Sequence, residues 1–222
     1  MVKLFANRVE AGRRLASALA AFVGKDGIVL AIPRGGVAVG FEVALALGLP
    51  LDVIVPRKIG APNNPELAIG AMTEDGTVIL DDKLVSYLGI SEAYIKSESE
   101  IQKLEIDRRL KLYRGDVPRP NLKNRDVIIV DDGIATGSTM KAALASVRKS
   151  GAKTVVIAIP VGPPSTIREL EKQADRVVCL YTPESFYAIG EFYEDFAQTE
   201  NGEVTELLKR SKQKESLAKR RR

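Results

Sequence analysis

No histidine occurs anywhere in the chain, and that absence removes whole classes of chemistry. Ser-His-Asp and Cys-His nucleophile systems need an imidazole base, and the common zinc and iron sites need imidazole ligands. Any acid–base work falls to carboxylates, lysine, tyrosine or the substrate itself. Cysteine is almost absent as well. The lone Cys179 cannot form an internal disulfide, and it sits in the apolar run 177–180. A buried core thiol in a reducing compartment is expected there, rather than a nucleophile. No apolar run approaches the roughly 20 residues that span a bilayer. The first five residues lead straight into a charged amphipathic stretch, not a secretory leader. These absences predict a soluble, cytoplasmic protein with no membrane partner. A Walker phosphate loop is missing, because no lysine follows Gly137, and no GxGxxG dinucleotide fingerprint is present.

What remains is ordinary globular material. Apolar residues make up 45% and charged residues 28% of the 222, enough to bury one substantial core. The net charge of +4 is concentrated in the last segment, 209–222. Without it the body is close to neutral, so the basic balance is no argument for a nucleic-acid-binding core.

Phe5, Val9, Gly12, Ala16, Leu19 and Val23 recur at helical spacing and predict a first helix ending near Gly24. Residues 27–33 are a short, wholly apolar run, as in strands buried on both faces of a parallel sheet. The loop Arg34-Gly35-Gly36, a helix over 37–47 and a strand over 51–56 complete a βαβ unit. Then the rhythm breaks. Residues 57–66 are rich in Gly, Pro and Asn, which predicts an exposed, mobile loop. Residues 67–72 and 77–80, around Glu74-Asp75-Gly76, predict a small hairpin. A charged helix over 91–113 is framed by Ser91 as N-cap and Gly115 as stop. Strands over 126–130, 154–160 and 176–181 then alternate with helices over 138–149 and 165–173.

The expected fold is therefore α/β, an open, mostly parallel, doubly wound sheet of about five strands. One domain spans 1–200, with 57–120 inserted as loop, hairpin and helix. Residues 201–222 form a basic C-terminal tail, either a solvated helix end or disordered.

The chemistry concentrates in residues 127–139, Val-Ile-Ile-Val-Asp-Asp-Gly-Ile-Ala-Thr-Gly-Ser-Thr. Four apolar residues make a central strand, and Asp131 and Asp132 emerge where it ends. A loop carrying Gly133, Gly137, Thr136, Ser138 and Thr139 then opens a helix. Ligands of open α/β sheets sit at the carboxyl ends of the strands, and a helix N-terminus there is a ready phosphate site. Adjacent carboxylates would repel phosphate, so sugar hydroxyls or a magnesium ion are their natural partners. A ribose 5-phosphate fits both halves.

This segment resembles the phosphoribosyl pyrophosphate signature of type I phosphoribosyltransferases: two acidic residues, then a loop ending Thr-Gly-X-Thr before a helix. The likeness extends over roughly residues 5 to 182. By resemblance, Asp131 and Asp132 face the ribose hydroxyls and Ala135, Thr136, Gly137, Ser138 and Thr139 cradle the 5-phosphate. Arg34, Gly35 and Gly36 lie where the family places its pyrophosphate loop, commonly with a cis peptide. Arg57 and Lys58 begin the segment corresponding to the family's catalytic flexible loop. The resemblance implies transfer of a 5-phosphoribosyl group to a nitrogenous base, with Arg57, Lys58 and Asp132 as catalytic residues. It also implies a Mg2+ ion held mainly by the substrate diphosphate, with Asp131 and Asp132 nearest to it. A homo-oligomer, a dimer, is the expected assembly. Two departures limit the carry-over. Ala135 stands where relatives acting on 6-oxopurines carry an acidic residue, and the aromatic stretch within 181–200, a candidate hood, has no recognisable base-reading pattern. The alternative is a regulator that senses phosphoribosyl pyrophosphate without turnover and uses the basic tail on nucleic acid. A mobile segment bearing Arg57 and Lys58 favours the enzyme, because a sensor needs no closure.

Overall fold

The computed structural model describes residues 3–20 and 26–220. In chain order, α1 (Arg8–Leu19) leads to β1 (Ile28–Ala31), α2 (Gly35–Leu47) and β2 (Leu51–Val53). Next come β3 (Arg57–Ala61), β4 (Asn64–Met72), β5 (Val78–Leu80), α3 (Asp82–Tyr87) and α4 (Glu92–Arg114). The second half runs β6 (Asp126–Val130), α5 (Ser138–Lys149), β7 (Thr154–Val161), α6 (Pro164–Glu171) and β8 (Arg176–Tyr181). A short 3-10 turn (Ile189–Phe192) and α7 (Asn201–Arg220) close it.

Five strands form an all-parallel sheet in the order β2-β1-β6-β7-β8, and β3-β4-β5 form a separate antiparallel sheet. The apolar runs have a simple cause, because alternate residues of one strand meet different helices. Val29, Ala31, Ile128, Val130, Val156 and Ala158 pack with Leu15 of α1, Val39 of α2 and Val204 of α7. Their neighbours Ile28, Leu30, Val127, Ile129, Val155 and Ile157 pack with Met140 and Leu144 of α5 and Leu170 of α6. Both faces are covered. The chain winds outward from β1 to β2 and, in the other direction, from β6 to β7. A crevice therefore opens between the carboxyl ends of β1 and β6.

Several expectations change. Residues 57–61 are not loop but strand β3, paired antiparallel with β4. The Gly, Pro and Asn content does mark a tight turn, with Asn63 at φ 61°, but Ile59 and Ala61 are buried with Ile69, Ile106 and Tyr113. Burial of that apolar face overrides the composition signal; within 57–67 only Lys58 and the tip, 62–67, are exposed. Of the expected 201–222 tail, residues 201–220 are helix α7, whose Val204 and Leu208 belong to the core, so its first half is part of the domain. Cys179 is only partly buried, on the edge strand β8. Burial pushes its thiol up to about 11, which leaves it a poor nucleophile. Val9 points outward, at 37% exposure. Val23 and Gly24 lie outside the described residues. Among the described residues, no helix is long and apolar enough to cross a membrane.

Candidate active site

Two loops meet at the crevice. After β1 the chain passes the cis peptide Pro33–Arg34 and enters α2 at Gly35. After β6 it presents Asp131 and Asp132. These loops touch so closely that side chains are excluded. A Cβ on Gly35 would overlap Asp132 Oδ2, and one on Gly36 would lie 2.9 Å from the Asp131 Cα. The glycine pair thus lets helix α2 begin directly against the carboxylates.

The two aspartates are not equivalent. Asp132 is buried and its Oδ2 accepts from Arg8 Nε at 2.7 Å, with both side chains only 12% exposed. Arg8 also donates to the Ala197 carbonyl and stacks 3.9 Å from the Phe196 ring centroid. Asp131 has no such cation. Its Oδ1 accepts the Asp132 backbone N–H at 2.9 Å, yet burial, and then the charge of Asp132, hold its carboxyl well above the usual range. Asp131 is therefore the carboxylate left for a diol or a metal ion. Among the described residues there is no cluster of three or more acidic or cysteine ligands. Two carboxylates fit a magnesium ion that arrives on a diphosphate, and would be too few to cage one alone.

The loop 133–137 reaches α5 through Gly137, at φ 76°. No side chain caps α5, so its first N–H groups are open to an anion. Thr166 Oγ1 donates to the Ala135 carbonyl at 2.7 Å and steadies the loop from α6. The hydroxyls of Thr136 and Ser138 are 3.2 Å apart.

A cleft of about 500 Å³ joins these parts. Of the residues singled out in the sequence, it brings together Arg34, Gly35, Arg57, Lys58, Asp131, Asp132 and Thr139. Gly36, Ala135, Thr136, Gly137 and Ser138 lie beside the cleft, not on its wall. Pro65 and Glu66, from the expected flexible segment 57–66, also line it, and residues missed in the sequence complete it: Glu98, Gln102 and Arg109 of α4. Arg57 is not a loose loop residue, because its Nε donates to Gln102 Oε1 at 2.9 Å. Burial first, and Arg109 second, pull its guanidinium below its ordinary value.

The aromatic stretch divides in two. Phe192 and Tyr193 pack with Phe5 at the N-terminus, and Tyr193 donates to the Asp132 carbonyl at 2.7 Å. Tyr187 stays exposed. Arg8 and Tyr193 carried no local signal, since each meets Asp132 from a distant part of the chain. The α4 residues were readable as one helical face, but not as a face of this cleft.

The family model described as the phosphoribosyl transferase domain matches residues 5–197. A Mycobacterium tuberculosis protein, provisionally named a phosphoribosyl transferase in strains CDC 1551 / Oshkosh and H37Rv, is 46% identical over 210 residues. The match covers 95% of this chain and 47% of that protein, so the chain spans about half the length of the curated relatives it matches. The crystal structure of TT1426 from Thermus thermophilus superposes with a TM-score of 0.80 at 41% identity, covering 92% of this chain and 97% of that one.

Proposed function

The chain belongs to the phosphoribosyl transferase domain family, and from that premise we propose that it transfers the 5-phosphoribosyl group of phosphoribosyl pyrophosphate to a nitrogenous base, releasing pyrophosphate. One observation carries this reading: a single cleft gathers Arg34, Arg57 and Lys58 with Asp131, Asp132 and Thr139. It brings cations and an aspartate without an ion pair together with Thr139 of the first turn of α5, the kinds of group that a phosphorylated sugar diphosphate needs.

The 5-phosphate docks on the N–H groups of 135–139. Asp131 accepts hydrogen bonds from the ribose hydroxyls, and Arg8 keeps Asp132 in place beside it. The barrier is heterolysis at C1 of the ribose, which leaves positive charge on the sugar and adds negative charge to the departing diphosphate. Arg34, Arg57 and Lys58 meet that growing charge. Donors oriented in advance in this way are typically worth about 3–4 kcal/mol each, and the Gln102 bond orients Arg57 before substrate arrives. Magnesium bound with the diphosphate, beside Asp131, would supply further neutralisation of the leaving group. Pro65 and Glu66 of the hairpin line the cleft, and shielding the sugar from water, the competing nucleophile, would fall to them. No protein nucleophile is required, in keeping with a chain that has no histidine and a single, unreactive cysteine.

Pyrophosphate release, measured with phosphoribosyl pyrophosphate against a panel of purines, pyrimidines and their analogues, tests the proposal. Release should depend on one class of base. Ala135 offers no carboxylate to a purine N7, so 6-oxopurines should be poor acceptors. Tight binding of phosphoribosyl pyrophosphate with no release across the panel would replace the enzyme with a sensor.

A further inference from the structure

Helix α4 belongs to the segment inserted between the two halves of the sheet, yet one of its faces lines the cleft. Glu98, Gln102 and Arg109 stand on that face, above the buried Ile106 and Tyr113 that fix the helix against the core. Spacings of four and seven residues keep all three side chains aligned. We propose that Arg109 is a further diphosphate-contacting residue, forming with Arg34 and Arg57 a three-guanidinium site for the leaving group; the inference rests on the phosphoribosyltransferase reading of the cleft.

Three observations support it. Arg109 is held, not floating: its Nε donates to Glu105 Oε1 at 2.7 Å, and its side chain is only 26% exposed. That bond uses one nitrogen and leaves the two terminal nitrogens outside it. Arg57 is held in the same manner through its Nε, by Gln102, which in turn donates to Glu98 at 2.7 Å. Two guanidinium groups are thus fixed by their inner nitrogens along one wall. Arg34 makes no ion pair among the described residues. Burial first, and Arg109 second, lower the guanidinium of Arg57, so the two groups lie within each other's field on a wall they share with Glu98.

Topology separates this group from the 5-phosphate loop. The loop follows β6, whereas Arg34 follows β1 and Arg57 follows β2, successive strands toward the opposite edge of the sheet. At about 4.8 Å per strand, that offset suits the two ends of a phosphorylated sugar diphosphate. A planar guanidinium fork also matches two phosphate oxygens better than a lysine does.

The test separates the two ends of the substrate. Inorganic pyrophosphate and ribose 5-phosphate are titrated calorimetrically, in magnesium-containing buffer, into wild type, Arg109→Gln and Arg108→Gln. Arg108 shares Glu105 but is 61% exposed and serves as the control. Arg109→Gln should weaken pyrophosphate binding about tenfold to a hundredfold, the weight of one or two charge-assisted hydrogen bonds. Ribose 5-phosphate binding should change less than about twofold, and Arg108→Gln should leave both nearly unchanged. Unchanged pyrophosphate binding in Arg109→Gln, an equal loss of both ligands, or an equal loss in Arg108→Gln would overturn the inference while the function stands. Wild type that binds neither ligand would overturn the function on which it rests.

Discussion

Asp131 lacks the cation that partners Asp132. Asp132 has Arg8 at 2.7 Å; Asp131 has burial and a neighbouring carboxylate. A carboxyl whose folded pKa lies above its unfolded value holds its proton longer in the folded state. Ionising it then works against the fold, and stability falls as pH rises from about 4, the unfolded value, through the raised folded one. Asparagine at 131 removes that ionisation. Asp131→Asn should therefore raise the Tm at about pH 7.5 by about 2–4 °C, equivalent to ~1 kcal/mol, and the gain should shrink toward pH 4. The same change should abolish pyrophosphate release, a trade of activity for stability. A gain that is the same at every pH would mean that Asp131 does not titrate as described. Arg8→Ala acts in the opposite sense. It strands Asp132 as a buried, unpaired charge and should cost about 3–5 kcal/mol in urea denaturation; a loss below about 1 kcal/mol would show that water reaches the pair.

Hairpin β3–β4 carries the two cations expected to act in the reaction, and its anchoring sets how they act. Tyr94 of α4 donates its hydroxyl to the Gly60 carbonyl at 3.1 Å, and Gln102 of the same helix holds Arg57. Tyr94→Phe should loosen the hairpin by about 0.5–1.5 kcal/mol, seen as faster amide exchange in 57–72 with no change in the central sheet. On the proposed function, Lys58, exposed on β3, would meet charge that grows only as the C1–oxygen bond breaks. Lys58→Ala should therefore lower kcat more than it weakens substrate binding. A loss confined to affinity would point to the sensor. Arg57, oriented beforehand, should contribute to both, and Gln102→Ala should reproduce part of the kcat loss of Arg57→Ala.

Across the whole molecule, α7 fastens the C-terminal segment to α2, β2 and α4 of the first half of the chain. Val204 and Leu208 sit in the cluster with Phe41 of α2 and Tyr113 of α4, and Tyr113 donates to Asn201 Oδ1 at 2.7 Å. Arg210 and Lys214 lie over the Phe41 ring at 5.0 and 5.7 Å, so part of the basic segment rests on the domain. Deleting 201–222 should cost about 3–6 kcal/mol for the two buried side chains alone, whereas deleting 216–222 should change stability by less than about 0.5 kcal/mol. Equal Tm values for the full chain and the 1–200 fragment would restore the picture of a separate tail.

The sequence by itself determined what depends on neighbours along the chain. Apolar runs marked β1, β6, β7 and β8. Ser91 accepts from the Tyr94 N–H and Gly115 ends α4 at φ 64°, as their capping chemistry predicts. The Asp131–Asp132 pair and the Thr-Gly-Ser-Thr loop were legible because one strand–loop–helix unit holds them all. Tertiary structure alone decided the rest. The order β2-β1-β6-β7-β8 places Arg34 beside Asp131 across the crevice, and Arg8 reaches Asp132 from 124 residues away. Residues 57–61 read as loop until Ile59 found an apolar partner in α4, and 201–208 read as tail until Val204 found the core. Periodicity encodes which face of an element is apolar; which other element covers that face depends on packing between distant segments, and no local spacing records it.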